Sequence, residues 1–311
     1  MKTQRGVALL ATVLVVALAT ILIAGLLDRG MIGQARALQQ TRAAQAVAFQ
    51  QGLELWATRI LRDDAERNLG AWSRVDAWAQ PLPPLTLPEG MIEGRMRDLD
   101  GCLNLNSIVD AGGIGNPTGE AAKRFERLFR ELGVDVNLVG AIVDWADADA
   151  FATSAGGAED PVYASLDPPR RTANRPFVHV SELRAVAGID ADTYERLVPH
   201  VCARPIGTPI NINTASAQVL MSLHDSIGPA LAQRLSNDGR AQFAGVEDFS
   251  QRLVDEAVPL PHNLIEVGTS SRHFVAEGDL LIGDVPVRLY SVLVRSDQNR
   301  YTVIARSQGR F

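Results

Sequence analysis

The feature that most constrains this chain is residues 1–27, MKTQRGVALLATVLVVALATILIAGLL. Lys2 and Arg5 precede Gly6, and the 21 residues from Val7 to Leu27 carry no charge. At ~1.5 Å per residue that run makes a helix about 31 Å long, which matches a hydrocarbon core of ~30 Å. A secretory signal peptide has a shorter apolar core, roughly 7–15 residues, followed by a small-residue cleavage site. Here Ala24-Gly25-Leu26-Leu27 runs directly into Asp28-Arg29. The cations ahead of the run favour a cytoplasmic N-terminus, with the rest of the chain on the other side. On charge and length alone, a plain single-pass anchor and a removable signal peptide stay open beside a processed leader.

The helix is expected to continue past the membrane. From Asp28 to about Asn68 there is no proline, and glycine occurs only at Gly30, Gly33 and Gly52. An apolar stripe then appears at Ala46, Phe49, Leu53, Trp56 and Ile60, spaced 3-4-3-4, as for a helix that packs onto a globular head. Pro81, Pro83, Pro84 and Pro88 predict a loop. Met91 to Leu99 alternates like a strand, so 69–102 reads as a loop and the first strand of the head. Three strand-like runs, His273–Leu281, Val287–Arg295 and Arg300–Arg306, follow in 266–311, with turns at Gly283-Asp284 and Asp297-Gln-Asn299.

Between them, 103–265 reads helical with a weak repeat. Val134 to Ile142, Ile189 to Leu197 and Ile227 to Leu235 have the same length, and each suits a helical hairpin. Leu103-Asn-Leu-Asn106 and Ile210-Asn-Ile-Asn213-Thr214-Ala215 read as duplicate entries, with Asn or Thr capping the next helix. The second entry, with Ser226-Ile-Gly228, is similar to the helix-hairpin-helix motif, which holds phosphate on the backbone N–H groups of a Gly-hydrophobic-Gly turn. Ser226 replaces the first glycine of that copy, Asp190 follows Gly188-Ile189 in the other, and no basic cluster adjoins either. With a net charge of −6 as well, nucleic acid is not an expected partner.

Cys102 and Cys202 form no CxxC pair and have no zinc spacing; outside the cytoplasm they most simply make one disulfide. Five carboxylates, Asp144, Asp147, Asp149, Glu159 and Asp160, fall within seventeen residues on either side of a glycine-bearing loop. Hard oxygen ligands on a flexible loop suit Ca²⁺, although the spacing is not that of an EF-hand. A solvated acidic loop fits the same spacing. The motifs of a Ser hydrolase elbow, a zincin and a phosphate-binding loop are absent, and the five histidines are scattered, so the chain reads as a non-enzyme.

The basic leader ending in Gly6 directly before the apolar run resembles that of type IV pilins and type II secretion pseudopilins. The resemblance implies prepilin peptidase cleavage between Gly6 and Val7, with 1–6 a leader and 7–27 a transmembrane segment, and the mature chain then carries −8. Such pilins carry Glu at the fifth mature position; here it is Ala11. That departure, with Asp144-Trp…Asp147, Glu159-Asp160, Tyr163, Ser165-Leu-Asp-Pro-Pro169, Asn174-Arg-Pro-Phe177 and Ser181-Glu-Leu183, resembles the K class of minor pseudopilins (general secretion pathway protein K). The resemblance implies an α+β, pilin-like fold: a long N-terminal helix (7–27 and 28–68) on a small antiparallel sheet, with a large inserted α-helical domain of helix-hairpin, SAM-like units. It also implies calcium in that domain, and a place at the tip of the pseudopilus. Implied partners are the I, J and H minor pseudopilins, prepilin peptidase and the inner-membrane assembly platform, with exported proteins and the secretin as further contacts. The body would lie in the periplasm. Two other readings, a type IV pilus minor pilin handling DNA and a membrane-anchored periplasmic hydrolase, would need a basic surface and a convergent nucleophile or metal site respectively.

Overall fold

The computed structural model describes residues 3–67, 70–87, 90–153, 156–259, 266–283 and 285–309. Helix α1, Thr3–Arg67, is one unbroken helix of 65 residues, about 98 Å long at ~1.5 Å per residue. Residues 9–41 of it are exposed, including all the large apolar side chains from Leu9 to Leu27. Its most apolar window has a mean hydropathy of 2.8, so it is long and apolar enough to cross a membrane. Met1 and Lys2 lie outside the described residues, as do Asn68, Pro88 and Asp284.

The strands of the head are β1, Leu82–Leu87, and β2, Gly90–Asp98; a short strand β3, Leu103–Asn104, follows. The helices of the insert are α2, Glu120–Leu132; α3, Leu138–Ala146; α4, Asp160–Ala164; and α5, Ala191–Leu197. After two short strands, β4 (Val201–Cys202) and β5 (Ile210–Asn211), come α6 (Ala217–Ser222), α7 (Pro229–Ser236) and α8 (Val246–Asp255). The chain ends in β6, Val267–Gly268; β7, His273–Ile282; β8, Val285–Arg295; and β9, Tyr301–Gln308. The antiparallel sheet has the order β1-β2-β7-β8-β9. Strand β2 pairs with β7 across the whole insert, Gly90 opposite Ile282 and Asp98 opposite Phe274.

The proline-rich segment is a strand, not the expected loop. Proline fits there because β1 is an edge strand, and Pro83-Pro84 coincide with a break in register between Leu82 and Leu85. The other edge, β9, carries an irregularity at Ile304, between the pairs Val292–Ala305 and Leu293–Val303. Proline on one edge and a bulge on the other blunt both against pairing with further strands.

Helix α1 lies on one face of this sheet, rotated slightly from the stripe read in the sequence. Ala46, Leu53, Ala57 and Leu61 are buried, while Phe49, Trp56 and Ile60 pack at the margins. Gly94 and Gly278 are cross-strand partners under Leu53; a Cβ at Gly278 would stand 3.0 Å from Leu53 Cδ2. The two glycines thus hollow the sheet so that the leucine can enter. Polar groups also face inward. Gln50 Nε2 donates to Tyr290 O at 3.0 Å and to Ser291 Oγ at 3.2 Å, and Arg306 grips Glu54 with two hydrogen bonds of 2.7 and 2.9 Å.

The insert contains the three expected hairpins: α2 with α3, the 3-10 turn Val180–Ala185 with α5, and α6 with α7. Val134, Ile189 and Ile227 are the buried apolar residues of their turns. The expected capping is found in the first entry, where Asn104 caps the 3-10 turn Leu105–Ile108 by accepting from Asn106 N at 3.1 Å, but not at the α-helices that follow. Helix α6 is capped by Ser216, and α2 begins after Gly119. Asn106 instead spans the domain, donating to Phe177 O at 2.9 Å and accepting from Phe177 N at 2.7 Å. Asn213 makes the same pair of bonds with Phe243, at 3.0 and 2.7 Å. The duplication continues beyond each clamp: Glu182 accepts from Val178 N, and Asp248 accepts from Ala244 N. Each module is closed at its ends by a two-residue parallel pairing, β3 with β4 and β5 with β6. One hydrophobic cluster runs through both, from Phe125 and Ile142 to Leu220 and Phe249.

Candidate metal centre

Helix α3 is apolar and buried along its length, so the acids at its end are carried inside with it. Asp144, in its last turn, and Asp147, its C-terminal cap residue, are both fully buried, and Glu159 is 4% exposed. Carboxylates in such a place cost several kcal/mol unless paired. Among the described residues none of Asp144, Asp147, Asp149 and Glu159 is in a salt bridge. Asp144 Oδ1 accepts from Thr153 N at 3.1 Å and from Thr153 Oγ1 at 2.5 Å. Its Oδ2, both oxygens of Asp147 and both of Glu159 are buried with no hydrogen-bond partner.

Asp147, Asp149 and Glu159 each offer an oxygen within 4.8 Å of the others. Oxygens that share one Ca²⁺ at ~2.3–2.6 Å lie no more than about 5 Å apart, so this spacing fits a single ion. Burial pushes the Glu159 carboxyl up to about 7, with further upward pressure from Asp144, Asp147, Asp149 and Asp160. Asp147 is pushed up to about 6 by burial, then by Asp149 and Asp144. A divalent cation would relieve both the burial and the mutual repulsion. Oxygen-only donors of this charge suit a hard cation with irregular coordination.

Asp160 sits apart from this trio. It opens α4 and accepts from Thr172 N at 3.1 Å, which ties the returning 168–176 segment across the site. Sequence reading had Asn174 only as part of a family segment. It is held at φ 44, donates from Nδ2 to Asp149 O at 2.7 Å, and leaves Oδ1 buried without a partner, a further oxygen donor. Gly115 carries no signal in the sequence. A Cβ there would come within 2.6 Å of Asp147 Oδ2, so the glycine keeps room around that carboxylate. Tyr163, with Trp145 packed edge-on at 5.4 Å, floors the loop, and its hydroxyl accepts from Ala187 N.

Cys102 and Cys202 are joined, with Cα atoms 5.9 Å apart, beside the β3–β4 pairing. Gly6 and Val7 lie in the helical part of α1, and their side chains are outside the described residues.

Two family models match the insert, both described as type II secretion system (T2SS), protein K: one over residues 101–206 and one over 210–264. The first spans the module whose ends the disulfide joins. Proteins named type II secretion system protein K are similar along nearly the whole length. That of Pseudomonas aeruginosa is 34% identical, covering 99% of this chain and 94% of its own. That of Klebsiella pneumoniae is 36% identical, covering 98% and 97%. The crystal structure of the GspK-GspI-GspJ complex from the enterotoxigenic Escherichia coli type 2 secretion system contains a chain of the same fold, with a TM-score of 0.76 at 24% identity over 89% of this chain and 100% of that one. On this full-length similarity the chain belongs to the type II secretion system protein K family.

Proposed function

We propose that the protein is a minor pseudopilin at the tip of the type II secretion pseudopilus, anchored in the inner membrane by residues 7–27 with its head and insert in the periplasm. The observation that carries this reading is the placing of the insert. Some 170 residues leave the sheet between β2 and β7 and return to it, so a body larger than the head itself stands beside the strands. Subunits stacked above such a body would collide with it, whereas at a filament end it has room. Ala11 supports the same place: a buried carboxylate in lipid needs a partner charge, and an end subunit has no preceding amine to pair. Its partners would be the I, J and H pseudopilins, met through the exposed apolar length of α1 and through the head, with prepilin peptidase and the assembly platform acting before assembly. Exported proteins and the secretin are the contacts that its exposed position would serve.

Within this role Ca²⁺ is a structural ion, held by Asp147, Asp149 and Glu159, with Asp144 Oδ2 and Asn174 Oδ1 in reserve. It would fix the 147–176 loop against α3. No side chain here is given a catalytic part.

Mass spectrometry of the protein from membranes, with and without prepilin peptidase, tests the pathway. A chain that starts at Val7 only when the peptidase is present supports assembly as a pseudopilin. An intact Met1, or a cut after Leu27, would remove the protein from that pathway.

A further inference from the structure

A cleft of about 460 Å³ opens where the sheet meets the insert, within the ~300–1,000 Å³ range of ligand pockets. Its apolar walls include Met96, Trp78, Val198, Pro199 and Val201, and the Cys102–Cys202 disulfide lies along it. Its polar side chains include three guanidinium groups and one indole N–H against a single carboxylate. Arg74, Arg97 and Arg204 line it. Arg97 spends Nε on Glu277, Arg74 spends Nη2 on Thr214 O, and Arg204 spends Nε and Nη1 on Leu99 O and Ala203 O. A guanidinium has five N–H donors, so each keeps some to spare. The indole N–H of Trp78, a residue only 1% exposed, is buried without an acceptor. The only acid in the wall, Asp98, is already occupied by the Thr214 hydroxyl and by Asp100 N. His179 at the rim is held toward its neutral form by burial and by Arg204.

We infer that this cleft binds a short extended peptide segment of a partner protein in which an acidic side chain lies between apolar ones. The carboxylate meets the spare donors of Arg97 and Arg204, and the apolar neighbours cover Met96 and Val198. Arg97 is paired with Glu277 and Arg204 stands 3.8 Å from Asp100, so what the cleft offers an acidic segment is spare N–H donors rather than a net positive field. The inference is independent of the cation site and of the position in the filament.

The test uses the full chain in detergent micelles, with its disulfide intact, and the peptide Leu-Glu-Leu-Glu-Leu-amide carrying fluorescein on its N-terminal amine, read by anisotropy against empty micelles. The same peptide with Gln for Glu is the comparison. Arg97→Gln is the variant of choice, because Arg95 also pairs with Glu277, at 2.6 Å, and keeps that acid satisfied. Saturable binding, weakened about 10-fold or more by Gln in the peptide and by Arg97→Gln, is expected for the loss of a charged hydrogen bond. Arg252→Gln, on α8 and outside the cleft, should leave it unchanged. Absence of saturable binding, equal binding of the Gln peptide, or no effect of Arg97→Gln would each overturn the assignment.

Discussion

The two modules of the insert share a scaffold and differ in what is hung on it. Each begins on a two-residue strand, places an asparagine two positions on, and clamps a phenylalanine backbone with it. In the first, residues 147–176 intervene between α3 and Phe177; in the second, only 237–242 separate α7 from Phe243. With Val134 set against Ile227, the places of Asp144 and Asp147 fall to Asn237 and Arg240. The second module therefore has the clamp without the carboxylates. It is also closed by hydrogen bonds alone, where the first is closed by a disulfide as well. The clamp belongs to the fold, and the acidic loop is an addition to one copy.

The sharpest way to break this comparison is to remove the covalent closure. Cys102→Ser with Cys202→Ser frees a loop of sequence separation 100 and should lower stability by about 4–5 kcal/mol on the chain-entropy account. Urea denaturation gives the size. Hydrogen exchange should show opening confined to 101–206; equal loss over 210–268 would mean that the shared core makes the modules one unit. Next in size are the clamps. Asn106→Ala strands a buried N–H and C=O and Asn213→Ala a partly buried pair, and each should cost about 2–4 kcal/mol. If the modules are duplicates in energy as well as in form, the two values will agree within ~1 kcal/mol.

The cation should mark only the first module. At about 100 times its Kd, Ca²⁺ is expected to stabilise by ~2.7 kcal/mol and to slow exchange in 144–176 but not in 210–259. Asp147→Asn should abolish that gain. In chelator at pH 7.5 the same variant should melt above the parent, since it no longer buries that charge. The smallest effect belongs to the junction of the head with the second module, where Thr214 donates to Asp98. Burial, then the charge of Asp100, pushes Asp98 up to about 6. Its folded value lies above the unfolded one, so its contribution is complete below about pH 4 and is lost as pH rises through about 6. Asp98→Asn, measured in saturating Ca²⁺, should flatten this slope.

The head was legible because its signals are local. Alternation placed β2, β7, β8 and β9 within a few residues, and the absence of proline carried α1 to Arg67. The β1 strand was misread, because proline argues against a strand unless the strand lies at an edge, and edges are set by pairing. The site was half legible. Charge density pointed to Asp144, Asp147, Asp149, Glu159 and Asp160, of which Asp147, Asp149 and Glu159 come together, whereas Asn174 and Gly115 carry no local signal and act only through what the returning loop and the Val109–Gly115 bridge bring near them.

By itself, then, the sequence determined the membrane-length helix, strands β2, β7, β8 and β9, the hairpin repeat and the acidic loop, since each rests on residue periodicity or on composition over a short window, and with only two cysteines it also pointed to the disulfide. Only the tertiary structure decided that Asn106 and Asn213 reach Phe177 and Phe243 across 71 and 30 positions, and that three of the five carboxylates converge beside α3. Those pairings depend on which buried polar groups find partners when the core closes, and that is a property of the packed chain rather than of any stretch of it.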